Sequence, residues 1–109
     1  MYATTMNRKK LLQIENRIKK IKSALTEIGE MRPGSLTEQY KYPVNKTGAY
    51  YQLSYTLNMK SRTDYIRKEY VKIIRRQVEN YKKFKQLNEE WIRLSIERSK
   101  LEMKLDNDR

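Results

Sequence analysis

The chain has 109 residues, 38% of them hydrophobic, with nine Tyr but one Phe and one Trp, so there is room for one ordinary domain with a thin core. Twenty-five Lys and Arg against 13 Asp and Glu leave a net charge of +12, which opposes compaction and favours a polyanionic partner, nucleic acid first. There is no Cys and no His, which excludes disulfides and thiolate metal sites and removes the commonest general base and metal ligand.

In chain order, Leu11, Ile14, Ile18, Ile21, Leu25 and Ile28 recur at spacings of 3 and 4, the seam of a coiled coil. This predicts a helix over 5–29, with Thr5 or Asn7 at its start and Gly29 where a left-handed cap would fall. Pro33-Gly34 then marks a turn, and Ser35 three before Glu38 has the spacing of a capping box, so 33–41 is expected to be a turn and a short helix. Pro43, Asn45 and Gly48 read as a loop.

Alternation follows: Tyr51, Leu53, Tyr55 and Leu57 point one way and Gln52, Ser54 and Thr56 the other. With a turn at Asn58-Met59-Lys60, this predicts a β-hairpin over 49–66. Residues 67–106 contain no Gly or Pro, and Val71, Ile74, Val78, Tyr81, Phe84, Leu87, Trp91, Leu94, Leu101 and Leu105 keep helical spacing. One long helix is expected there. The resulting expectation is a single domain over 1–109, mainly α with a small β-hairpin: two long antiparallel helices forming a coiled-coil-like pair with the hairpin at one end.

The charge is unevenly distributed. Between Arg67 and Lys85 there are 8 basic and 2 acidic residues, whereas Gln86 to Arg109 has 5 and 6. Seven of the nine Tyr fall between Tyr40 and Tyr70, interleaved with cations. Basic groups beside flat amphipathic rings suit phosphate neutralisation plus base stacking. Lys60, Arg62, Arg67, Lys68, Lys72, Arg75 and Arg76 are therefore the candidate phosphate contacts, and Tyr50 the candidate stacking residue. Tyr51 and Tyr55 fit the inner face of a small sheet better than a binding surface, and Trp91 fits the helix seam.

Catalysis is disfavoured. Asp64 with Glu69, or Glu89 with Glu90, lie among cations that favour the ionised carboxylate over a tuned acid, and the three Gly are isolated at 29, 34 and 48, with no phosphate-cradling loop. No metal or cofactor is expected. No stretch has the length and hydropathy of a signal or membrane-spanning segment, so a soluble cytoplasmic protein without a membrane partner is expected.

The middle of the chain carries a resemblance. Arg32-Pro33-Gly34-Ser35-Leu36, Glu38-Gln39-Tyr40, Gly48-Ala49-Tyr50-Tyr51-Gln52-Leu53-Ser54, Ser61-Arg62-Thr63-Asp64-Tyr65-Ile66 and Glu79-Asn80-Tyr81-Lys82-Lys83-Phe84 resemble a family of small uncharacterised prokaryotic proteins, many found beside transposases or in other mobile elements. Its members usually carry a Cys cluster between the equivalents of Tyr40 and Gly48 and a Gly-rich turn between the strands. Here Thr37 to Gly48 has no Cys and the turn is Asn58-Met59-Lys60, so the resemblance implies no zinc. It implies a link to the DNA transactions of mobile elements. The expected function is thus a non-catalytic nucleic-acid-binding accessory or regulator of a transposon or phage, with DNA ahead of RNA, acting as a homodimer through its helix seams. The rival expectation is an adaptor or inhibitor that docks a basic helical face on an acidic surface of a larger protein.

Overall fold

The computed structural model describes Tyr2–Asn107. The elements in order are helix α1 (Tyr2–Thr26), strands β1 (Ser35–Tyr42), β2 (Thr47–Leu57) and β3 (Lys60–Ile66), a single 3-10 turn (Lys68–Tyr70) and helix α2 (Val71–Asn107). They fall into two compact units, one made by the N-terminal segment through Ile28 with the chain from Phe84 onward, the other by Gly29–Lys83. Helix α2 contributes to both.

In the first unit the 3,4 spacing of α1 puts Ile14, Ile18 and Ile21 on one buried face, where they cluster with Leu94 and Leu101 of α2. Leu11, Leu25, Leu87 and Trp91 pack around that cluster, half-buried. Ile21 is fully buried, which stabilises by about 1.5–3 kcal/mol for such a side chain. Three ion pairs cross between the helices: Lys10–Glu97 at 3.3 Å, Arg17–Glu90 at 2.7 Å and Arg98–Glu15 at 3.5 Å. Lys10 and Glu15, earlier in α1, pair with Glu97 and Arg98, later in α2, whereas Arg17 pairs with the earlier Glu90, so the two segments run antiparallel. Helix α1 closes tightly: the Thr26 hydroxyl donates to the Ser23 carbonyl, and the Glu27 and Ile28 amides donate to residues three back.

The second unit is built on an antiparallel meander of order β1-β2-β3. Leu36 lies opposite Leu53, and Leu53 opposite Asp64, so these three share one face of the sheet. Leu53 is fully buried there, with Tyr51, Tyr55 and Ile66 half-buried on the same face. Val71 and Val78 are the buried residues that α2 adds to this unit. Gly34 enters β1 at φ +128°, where a Cβ would stand 2.6 Å from the Ser54 carbonyl oxygen, so only glycine lets the chain approach β2 this closely.

The expected fold, two long antiparallel helices with a hairpin at one end, is overturned by the third strand. Residues 35–42 form an edge strand paired along β2, where the sequence reading expected a short helix. The capping-box spacing of Ser35 and Glu38 is a local signal, and pairing with β2 outweighs it. The long helix also starts later than expected, at Val71 after a 3-10 turn, and α2 shares a unit with α1 only from Phe84 onward. Helix α1 begins at Tyr2, so Thr5 and Asn7 lie inside it, and it ends at Thr26 with no left-handed residue at Gly29.

The β2–β3 turn is two residues, Asn58 and Met59, with φ of 51° and 64°, because Leu57 pairs with Lys60. Asn tolerates this region, whereas Met59 has a Cβ strained in it and a side chain that is 99% exposed, with no packing to compensate. Met59→Gly is expected to stabilise the protein by about 0.5–1 kcal/mol and raise Tm by a few degrees in thermal unfolding. An unchanged or lower Tm would contradict this account of the turn.

Candidate functional site

The two faces of the sheet differ in chemistry because side chains alternate along each strand. The face of Leu53 also carries Glu38, Asp64, Lys60 and Arg62. The opposite face carries Thr37, Gln39, Lys41, Tyr50, Gln52, Ser54, Thr63 and Tyr65, and both strand carboxylates, Glu38 and Asp64, are absent from it. On that second face the Tyr50 and Tyr65 rings meet diagonally across β2 and β3, centroids 5.9 Å apart and planes inclined at 51°. Tyr65 is 75% exposed.

Arg32 holds the buried face in place. Its guanidinium donates to the Asp64 carboxylate at 2.7 Å and lies 5.1 Å from the centre of the Tyr55 ring, while its amide donates to the Gln77 carbonyl on α2 at 3.1 Å. Next to it, the Asn80 side chain donates to the Glu30 carbonyl at 2.9 Å. The hydrogen bond from Arg32 holds the Asp64 carboxyl below the usual carboxylate range, with the Tyr55 hydroxyl and the Arg62 charge adding to the effect against partial desolvation.

The eight candidate residues do not form one patch. Lys60 and Arg62 stand on the Leu53 face near the β2–β3 turn, at the far end of β3 from Arg67; seven residues of strand span about 23 Å. Tyr50 is on the opposite face. At the near end of β3, however, Tyr50, Arg67 and Lys68 line one cleft of about 350 Å³ together with Glu38, Ala49, Tyr51 and Ile66. Lys72, Arg75 and Arg76 follow on α2, exposed and spaced i, i+3, i+4 along one side of the helix.

Within this group only Arg67 joins an ion pair among the described residues, at 3.9 Å to Glu69, and its guanidinium lies 5.2 Å from the centre of the Tyr70 ring. Glu79, the carboxylate next along the same helical side, pairs with Lys82 at 3.6 Å. Tyr51 and Tyr55 turn inward as the alternation implies, and Trp91 packs half-buried on the helix cluster with the Lys22 ammonium 5.3 Å from its ring centre.

Sequence reading missed Tyr65 and Arg32. Treating Asn58-Met59-Lys60 as the turn hides the pairing of Gln52 with Tyr65 that brings Tyr65 beside Tyr50. A two-residue turn, Asn58-Met59, would have revealed it. Arg32 had no comparable signal, since its partners Asp64 and Gln77 lie far along the chain.

The family model described as Domain of unknown function (DUF6788) matches residues 11–76. The chain belongs to that family. The DUF6788 match runs from Leu11 of α1 through all three strands to Arg76, and so takes in Arg32, Tyr65 and all eight candidate residues. No curated protein and no solved structure matches the chain. Among the described residues no group of three or more acidic side chains is gathered as a metal site would require, and no helix is long and apolar enough to cross a membrane.

Because the Asp64 pKa is depressed in the folded state, its contribution to stability is complete above the unfolded carboxyl pKa, near 3.8, and is lost as pH falls through the lower folded value. Wild type should exceed Asp64→Asn in stability at neutral pH, and the difference should shrink as pH drops below about 4, measured by urea denaturation. A difference that stays constant from neutral to acid pH would contradict the Arg32–Asp64 assignment.

Proposed function

We propose that this protein is a non-catalytic nucleic-acid-binding accessory or regulatory protein that grips the phosphate backbone electrostatically. The observation that carries the reading is the run Arg67, Lys68, Lys72, Arg75 and Arg76: five exposed cations where β3 gives way to α2, with one weak exposed ion pair among them. The second unit as a whole, Gly29–Lys83, holds 12 Lys and Arg against 5 Asp and Glu. Such a surface neutralises phosphates without reading sequence. A role in a mobile element or phage, DNA ahead of RNA, belongs to the same proposal, with the resemblance of the segments between Arg32 and Phe84 as its support; a cytoplasmic setting is proposed with it.

A protein contact is favoured by a separate feature. On α2, Ile92, Ile96 and Met103 are 62%, 53% and 58% exposed and, with Ser99, repeat at spacings of 4, 3 and 4. This second seam lines a groove of about 550 Å³ with Trp91, Ser95 and Lys100. Its layers match themselves when reversed, Ile92 against Met103 and Ile96 against Ser99, which suits a second copy of this chain in antiparallel contact. The homodimer proposal rests on that stripe, and docking of the basic helical side on an acidic protein is the remaining alternative.

The salt dependence of oligonucleotide binding tests the main reading. Five phosphate contacts give a slope of log K against log salt of about −3.5 to −4.5, and the triple variant Lys72→Gln, Arg75→Gln, Arg76→Gln should lower its magnitude by about 2–3. A wild-type slope near zero, or an unchanged slope in the variant, would overturn it.

A further inference from the structure

The sheet face that carries Tyr50 and Tyr65 is unaccounted for by phosphate contacts alone. A ring pair across neighbouring strands often serves only to stabilise the sheet. Here, though, Tyr65 is 75% exposed, so one ring of the pair offers most of its surface to water, and the buried core lies on the other face with Leu53. The surrounding groups on this face are amides and hydroxyls, Gln39 directly opposite Tyr50 and Gln52 directly opposite Tyr65. They can donate and accept hydrogen bonds to base edges.

We infer that this face is a stacking platform for unpaired bases, so that the preferred ligand is a single strand, with bases on Tyr50 and Tyr65 and its phosphates on Arg67 and Lys68. The inference rests on the nucleic-acid reading above and deepens it by naming the strand state of the ligand. Charge favours a polyanion here: among the strand residues this face carries Lys41 and no carboxylate, and Tyr50 shares the cleft at its end with Arg67 and Lys68, two cations against the one carboxylate, Glu38, that also lines it. The Arg67–Glu69 contact is long and exposed, so a phosphate can replace it. A duplex keeps its base faces stacked inside the helix and has nothing to place on the rings, whereas every base of a single strand has a face to offer.

The test compares a 15-nucleotide oligothymidylate with a 15-base-pair duplex by fluorescence anisotropy, using wild type, Tyr50→Leu, Tyr65→Leu and the corresponding Phe variants. Each Leu variant is expected to weaken single-strand binding by at least about 5-fold and the Phe variants to stay within about 2-fold, with duplex affinity unchanged throughout. Ultraviolet crosslinking of wild type to the oligothymidylate should yield adducts at Tyr50 or Tyr65, which keeps the inference testable if a Leu variant folds poorly. Salt-dependent binding that ignores both Leu substitutions, as a face for docking protein would give, overturns the platform and leaves the phosphate-binding reading standing. So does equal weakening of single strand and duplex. Absence of salt-dependent binding by wild type to either probe overturns both.

Discussion

The second unit depends on Arg32. One side chain reaches Asp64 on β3 and the Tyr55 ring on β2, while the backbone of the same residue is tied to Gln77 on α2. The guanidinium, whose planar fork suits a carboxylate and an aromatic face at once, thereby ties β2 and β3 to a residue whose amide is tied to α2. Two residues on, Gly34 brings β1 against β2 at a distance no side chain would permit. This short stretch, Arg32-Pro33-Gly34, governs how the meander closes and where β3 delivers the chain into α2. The cations Arg67, Lys68, Lys72, Arg75 and Arg76 owe their positions to it.

The period-2 alternation of the strands sorts the chemistry of the sheet into two faces. Apolar side chains, both carboxylates, Lys60, Arg62 and the Arg32 contact lie on one; hydroxyls, amides, a single Lys and two Tyr lie on the other. In a protein of net charge +12 the carboxylates are the groups that would repel a polyanion; those of the strands project from the face opposite Tyr50 and Tyr65, with Glu38 reaching the cleft that Tyr50 shares with Arg67 and Lys68. The first unit has a different character. Its ion pairs, Lys10–Glu97, Arg17–Glu90 and Arg98–Glu15, join α1 to α2, and the exposed stripe there is apolar.

Much of the helical structure was legible because a 3,4 repeat is a local pattern: Ile14, Ile18 and Ile21 are buried as their spacing implies. The alternation at 51–57 likewise reports the buried side of β2. Strand β1 was not legible. Glu38 interrupts its apolar alternation between Leu36 and Tyr40, and Ser35 with Glu38 imitates a helix start, so what makes 35–42 a strand is pairing with residues 47–54. The candidate cations could be named from composition and spacing, but their division between the two ends of β3 follows from register. Tyr65 escaped for the same reason, and the apolar stripe at Ile92, Ile96 and Met103 was hidden behind the stronger seam that packs on α1.

The most direct measurement is residue-level mapping of a titration, with isotope-labelled protein and a short oligonucleotide followed by amide chemical shifts. The account predicts that perturbations gather at Tyr50, Tyr65, Arg67, Lys68 and the first turns of α2, with the buried cluster around Ile21 and Leu94 left unshifted. Perturbations confined to the Ile92–Met103 stripe, or none at all, would contradict it.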